Sequence, residues 1–183
     1  KQMASGEPIE ARLPYGEPFI LNEYAKQKYA AEKVLEDLSN CLVIRTSILG
    51  YRGSGALTFL EWVLSTIKEG NAISGFVDAY TSSIDVNSFV EVVFLCIEHR
   101  LTGVYNIASS EVYSKYDLIK AIIADLSEVS IKLESGRVSD LTPERANCCG
   151  LDVKEIQQVL GISLPTLATV IEALDIQENY DEL

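Results

Sequence analysis

A chain of 183 residues fits one domain, and 48% hydrophobic against 23% charged residues is the balance of a globular protein rather than a disordered chain or a coiled coil. Fifteen Lys and Arg against 27 Asp and Glu leave a net charge of −12, which repels phosphate backbones and argues against nucleic acid as a partner; a bound anion needs a local exception. The apolar run 92–97 is far short of the ~20 residues of a membrane span, and four cysteines without CxxC spacing beside a single histidine argue against structural zinc and suit the reducing cytoplasm.

The chain opens at Lys1 without an initiator Met, and its first residues read like the interior of a longer protein. Pro8, Pro14 and Pro18 with Gly6 and Gly16 break both helix and strand, so 1–22 reads as a surface loop. Asn22 is placed to cap a helix over 23–38. In it, positions 24, 28, 31, 35 and 38 form one stripe, with Ala31, Leu35 and Leu38 expected to be buried and Tyr24 and Lys28 at its open end. Residues 41–49 (CLVIRTSIL) read as a buried strand of the parallel type. A glycine-rich turn over 50–55 leads to an amphipathic helix over 57–68, with Leu57, Leu60, Leu64 and Ile67 on one side.

A short strand over 72–77 precedes a second buried helix over 85–98 and a strand over 103–108. Ser114 caps a helix running to 126, and 131–133 is a weak strand. A helix over 151–160 is stopped by Gly161, another covers 165–174, and the acidic tail after Asp175 is expected to fray. Strands alternating with helices predict an α/β fold with a largely parallel sheet.

Tyr24 and Lys28 stand at i and i+4, so on a helix they face the same way and can touch. A phenol with a pKa of about 10 exchanges protons poorly at neutral pH, and a neighbouring ammonium favours the phenolate. Such a tyrosine can protonate a carbonyl oxygen as hydride arrives, and the lysine can hold a ribose hydroxyl. The same helix carries a second copy, Tyr29 and Lys33, roughly 140° around the axis, so at most one pair faces a site.

The segment Tyr24-Ala-Lys-Gln-Lys28-Tyr-Ala-Ala31-Glu32 resembles the YGxSKxxGE signature of extended short-chain dehydrogenases/reductases, and that register selects Tyr24 and Lys28. Leu42-Val-Ile-Arg-Thr-Ser47, Gly103-Val-Tyr-Asn-Ile-Ala108, the helix start at Ser114 and Arg145-Ala-Asn followed by Leu160-Gly-Ile-Ser-Leu-Pro165 resemble, in order, further motifs of the branch containing dTDP-4-dehydrorhamnose reductase.

The resemblance covers about 15–176. It implies the C-terminal part of a Rossmann-like, doubly wound parallel-sheet enzyme plus its small substrate-binding subdomain. Residues 23–126 would be mainly Rossmann-like, 127–176 mainly substrate-binding and 177–183 a tail, with the cofactor-binding half, its GxxGxxG turn and the catalytic Ser or Thr missing. Ser5 lies too close to Tyr24 to serve as that residue.

The implied activity of the parent is NAD(P)(H)-dependent reduction of a keto group on a nucleotide-activated deoxysugar in the cytoplasm; this portion alone would be inactive and prone to self-associate as a homo-oligomer. Tyr24 and Lys28 would be catalytic and contact the cofactor, with Thr46 and Ser47 near the nicotinamide. Ile48, where the branch usually has Trp, and Arg52 and Arg145 would line the substrate site, with Arg137 a further anion candidate. Nucleotide-sugar epimerisation or dehydration, and a non-catalytic regulatory role, are the alternatives.

Four features are read otherwise. Gly53-Ser-Gly55 followed by Asp78 imitates a dinucleotide fingerprint but lacks its third glycine, Thr58 standing there. Arg45, within an apolar strand, is expected to pair with a carboxylate. Phe59 and Trp62 at helical spacing read as core or interface, and His99 as the end of a helix.

Overall fold

The computed structural model describes residues 23–36, 38–127, 129–140 and 146–182. The loop read over 1–22, the Asn22 cap and Arg145 therefore lie outside the described residues. The elements run α1 (Glu23–Glu36), β1 (Leu42–Arg45), β2 (Ile48–Leu49), α2 (Phe59–Lys68), β3 (Ile73–Phe76), β4 (Tyr80–Thr81), β5 (Ile84–Asp85) and α3 (Val86–Glu98). They continue β6 (Gly103–Asn106), β7 (Tyr113–Ser114), α4 (Lys115–Asp125), β8 (Leu133–Gly136), β9 (Cys148–Cys149), α5 (Lys154–Leu160), α6 (Leu167–Glu172) and α7 (Ile176–Glu182).

Pairing is parallel almost throughout. β1 runs beside β6 with Leu42 opposite Gly103 and Arg45 opposite Asn106; β2 pairs with β5, and β3 with β8. β4 lies between β9, which is parallel to it, and β7, the antiparallel neighbour. Parallel strands need crossovers, and helices fill them, so the fold is α/β of the Rossmann-like kind.

Two apolar clusters hold it. In the first, Leu60 and Leu64 of α2, Ile73 of β3, Leu118 and Ile122 of α4, Val170 of α6 and Ile176 interlock. In the second, Ile84, Val92, Cys96, Ile107, Ile156 and Leu164 join α3, β6 and α5.

Local chemistry sets the helix ends. The Thr58 side chain accepts from Glu61 N while the Glu61 carboxylate accepts from Thr58 N, a reciprocal capping box. α2 thus starts at Phe59, and Leu57, expected on its buried side, lies ahead of the cap and is exposed. Ser114 and Asp117 cap α4 in the same way, and Gly161 ends α5 at φ 65°. Gly75 is required by packing: a Cβ there would lie 2.7 Å from Tyr116 Cα.

Four expectations are corrected. The strand over 41–49 breaks at Thr46-Ser47, and its first part is half-buried. α3 buries only Val92 and Cys96, while Val86, Val90, Phe94 and Ile97 are exposed, because its neighbours cover one face of an all-round apolar helix. On α1, Ala31 and nearby Leu38 are exposed and Leu35 is half-buried. The tail does not fray: Ile176 is fully buried and opens α7, which packs on α4 while the Tyr180 carbonyl accepts from Lys68 Nζ at 3.3 Å.

Candidate functional site

α1 returns to β1 through a tight turn in which Leu38 N donates to Leu35 O and Cys41 N to Leu38 O, so helix and strand run in opposite directions. Glu32 then meets Arg45, the last residue of β1. Arg45 Nε donates to Glu32 Oε2 at 2.9 Å, and Nη2 donates to Oε1, a bidentate pair with 29% of the Arg45 and 12% of the Glu32 side chain exposed. Glu32 is the carboxylate expected for Arg45. At 1.5 Å per residue, Lys28 lies about 6 Å and Tyr24 about 12 Å beyond Glu32 along the helix. Both therefore project past the carboxyl end of β1, where open α/β sheets form their ligand crevices.

The Lys28 ammonium lies 5.7 Å from the centroid of the Tyr24 ring, and Lys33 lies 5.2 Å from that of Tyr29. Local geometry therefore makes both pairs alike. They differ in exposure and in distance from Glu32: Tyr29, half-buried, stands three residues from it, whereas Tyr24, eight residues away, is 70% exposed.

Thr46 and Ser47 follow directly at that end. Thr46 is exposed, while the Ser47 hydroxyl turns inward to Ser83 Oγ at 2.9 Å, which meets Thr81 Oγ1 at 2.9 Å. The buried Tyr113 hydroxyl donates to Ser83 O at 2.6 Å, and burial pushes its pKa upward. These hydroxyls tie β2, β4, β5 and β7 together. No sequence signal marked Ser83, because a lone serine between two-residue strands carries no periodicity.

Ile48 is 46% exposed next to buried Leu49. Arg52 is exposed on the turn that follows. Its guanidinium donates to Ala56 O at 3.2 Å, and its backbone N–H donates to Glu61 Oε1 at 2.7 Å, as does that of Gly53 at 2.9 Å. Glu61 thus both caps α2 and folds the turn against it; the Thr58-x-x-Glu61 spacing carried the capping half of that role. Arg137 is exposed beside Val138, whose N–H donates to Asp78.

The dinucleotide-like turn is a decoy in structure too. β2 pairs with β5 whereas β3 pairs with β8, so β2, α2 and β3 do not build one βαβ unit. The Asp78 carboxylate is already occupied by the N–H groups of Val138 and Ser139 at 2.6 and 3.3 Å. Burial opposes ionisation there, but those backbone donors hold its pKa below the usual value.

Among the described residues, no helix is long and apolar enough to cross a membrane, and no cluster of His, Cys, Asp and Glu has a metal-binding arrangement. Phe59 packs half-buried against the first core, with its ring 5.9 Å from that of Trp62, which is 41% exposed.

Comparison with known proteins agrees with this architecture. The chain is 26% identical over 167 residues to the probable low-salt glycan biosynthesis reductase Agl14 of Haloferax volcanii, covering 87% of this chain and 55% of that protein. The dTDP-4-dehydrorhamnose reductase of Bacillus anthracis, solved in complex with NADP, shares the fold with a TM-score of 0.77 at 20% identity, over 88% of this chain and 58% of that one. The Yersinia enterocolitica dTDP-4-dehydrorhamnose reductase does so with a TM-score of 0.72 at 22% identity, over 86% and 58%. The chain thus spans little more than half the length of these relatives. Residues 13–177 match the RmlD substrate binding domain, and the chain belongs to that family.

Proposed function

We propose that this chain is the catalytic-helix and substrate-binding portion of a reductase that uses NADH or NADPH to reduce a keto group on a nucleotide-activated deoxysugar. The observation that carries this reading is the Tyr24–Lys28 pair extending past the carboxyl end of β1 on a helix tethered by Glu32 and Arg45. The NAD(P)(H)-bound neighbours and the glycan biosynthesis reductase support the same chemistry.

The donor set at that end suits the ribose end of a nicotinamide cofactor: the phenol of Tyr24, the ammonium of Lys28 and the exposed hydroxyl of Thr46. Ser47, its hydroxyl engaged by Ser83, would shape the floor of the site rather than donate to a ligand. Reduced nicotinamide, when bound there, would be the source of the hydride for the substrate's carbonyl carbon. The Tyr24 hydroxyl gives its proton to the carbonyl oxygen, so the ketone becomes an alcohol and Tyr24 a phenolate. Lys28 steadies that phenolate by its positive charge and donates to a ribose hydroxyl. Tyr24 regains its proton from solvent. Ile48 and Arg52, on the segment leaving β2, would face the sugar and its diphosphate, with Arg145 as a further cation for the same anion.

The test is NADPH consumption by the full-length protein with a dTDP-4-keto-deoxysugar. Tyr24→Phe should lower kcat by about a hundredfold or more, in the range of general acid catalysis, while Tyr29→Phe leaves it unchanged. Full turnover by Tyr24→Phe would overturn the assignment.

A further inference from the structure

An acidic chain that handles an anion needs a local positive charge, and the structure holds one, Lys115, that the family resemblance does not assign. Lys115 is the first residue of α4, where the helix dipole disfavours a cation. Its side chain turns over Phe59, the first residue of α2, with Nζ 4.5 Å from the ring centroid. Lys115 is only partly exposed, and among the described residues no carboxylate lies within ion-pair distance of its ammonium.

The nearby acids are spoken for. Glu61 is saturated by the N–H groups of Arg52, Gly53 and Thr58, and Asp117 accepts from the Ser114 hydroxyl at 2.6 Å. The remaining neighbour is Cys149 of β9. Cys149 is exposed, yet desolvation raises its thiol pKa in spite of the ammonium beside it, which disfavours a thiolate counter-charge. Burial likewise disfavours the charged form of Lys115. The aromatic face of Phe59 offsets part of that cost but leaves the N–H donors unfilled.

The first turn of α2 is also where the backbone of the Arg52 turn docks, through Glu61.

We propose that the Lys115 ammonium, set on Phe59 between α2, α4 and β9, is an anion-binding anchor that receives the diphosphate of a nucleotide-linked substrate. The identity of the ligand rests on the reductase reading above; the site itself rests on a cation that no carboxylate among the described residues pairs. Lys115 occupies the position of the Trp in the SWYEFA pattern that this helix start resembles, which makes the anchor a specificity feature of this chain.

The experiment is acetylation footprinting of the full-length protein by mass spectrometry, with thymidine diphosphate, uridine diphosphate, inorganic pyrophosphate or NADP+ present. Either nucleoside diphosphate and pyrophosphate should protect Lys115, while exposed Lys120 and Lys132 label as before and NADP+ gives no protection. Lys115→Gln should raise the Kd for the preferred nucleoside diphosphate about ten- to a hundredfold, as expected for loss of a charged hydrogen bond. Lys115→Arg should restore most of it.

Equal labelling with and without nucleoside diphosphate, unchanged affinity in Lys115→Gln, or protection by NADP+ alone would overturn the proposal. Protection of Lys115 in a protein that reduces no keto sugar would leave the anchor standing and the reductase reading fallen. Tyr24-dependent reduction with the same KM in Lys115→Gln would do the reverse.

Discussion

Glu61 accepts from three backbone N–H groups, those of Thr58, Gly53 and Arg52, and these hold its carboxyl at about 2, below the ordinary 4.5. A carboxyl whose pKa is depressed by folding stabilises the native state above its unfolded pKa. That contribution fades as pH falls through the folded value. Stability conferred by Glu61 is therefore full above about pH 4.5 and lost on descending toward about pH 2. Thermal melts of wild type and Glu61→Gln across that window should differ most at its upper end and converge at its lower end. A constant difference would mean that the hydrogen bonds do not depend on the charge. The two tyrosines of α1 teach a complementary lesson. Tyr24 and Tyr29 carry the same residue-level geometry with their lysines, so what separates them lies above the residue scale, in where each stands relative to the end of β1.

At the scale of elements, the signals that the sequence carried well were the local ones. Ser114 does cap α4, Gly161 does end α5 in the left-handed region, and the amphipathic spacing of α2 buries Leu60, Leu64 and Ile67. Each is a short-range interaction between residues within a few positions, so the sequence contains both partners. The strands β4, β5, β7 and β9 escaped because two residues have no period and owe their conformation to a distant partner. Gly75 belongs to this class: its need becomes visible only when β3 meets Tyr116 of α4. Gly75→Ala should cost about 1–3 kcal/mol, because backbone must move to admit the methyl group, and urea unfolding would read this as a lower midpoint. An unchanged midpoint would show that β3 and α4 can separate freely.

Across the whole molecule, the attachment of α1 is the feature on which the proposed chemistry depends, since little of that helix is buried in the described chain. A double-mutant cycle with Glu32→Gln and Arg45→Met should give a coupling of about 1–2 kcal/mol in unfolding free energy, within the range found for contacting groups. In the full-length enzyme, each single variant should also lower kcat through Tyr24 misplacement. Zero coupling would mean that other contacts dock the helix. By itself, the sequence determined the α/β class, the cap of α4 and the stop of α5, the i, i+4 contact of Tyr24 with Lys28 and the family register, because these rest on local spacing and on residues whose order survives in one dimension. The tertiary structure alone decided which apolar faces are covered, why the tail from Ile176 is ordered, which carboxylate Arg45 grips and that, among the described residues, none pairs with Lys115. Those are properties of surfaces brought together from distant segments, and the net burial of charge and apolar area exists only once they meet.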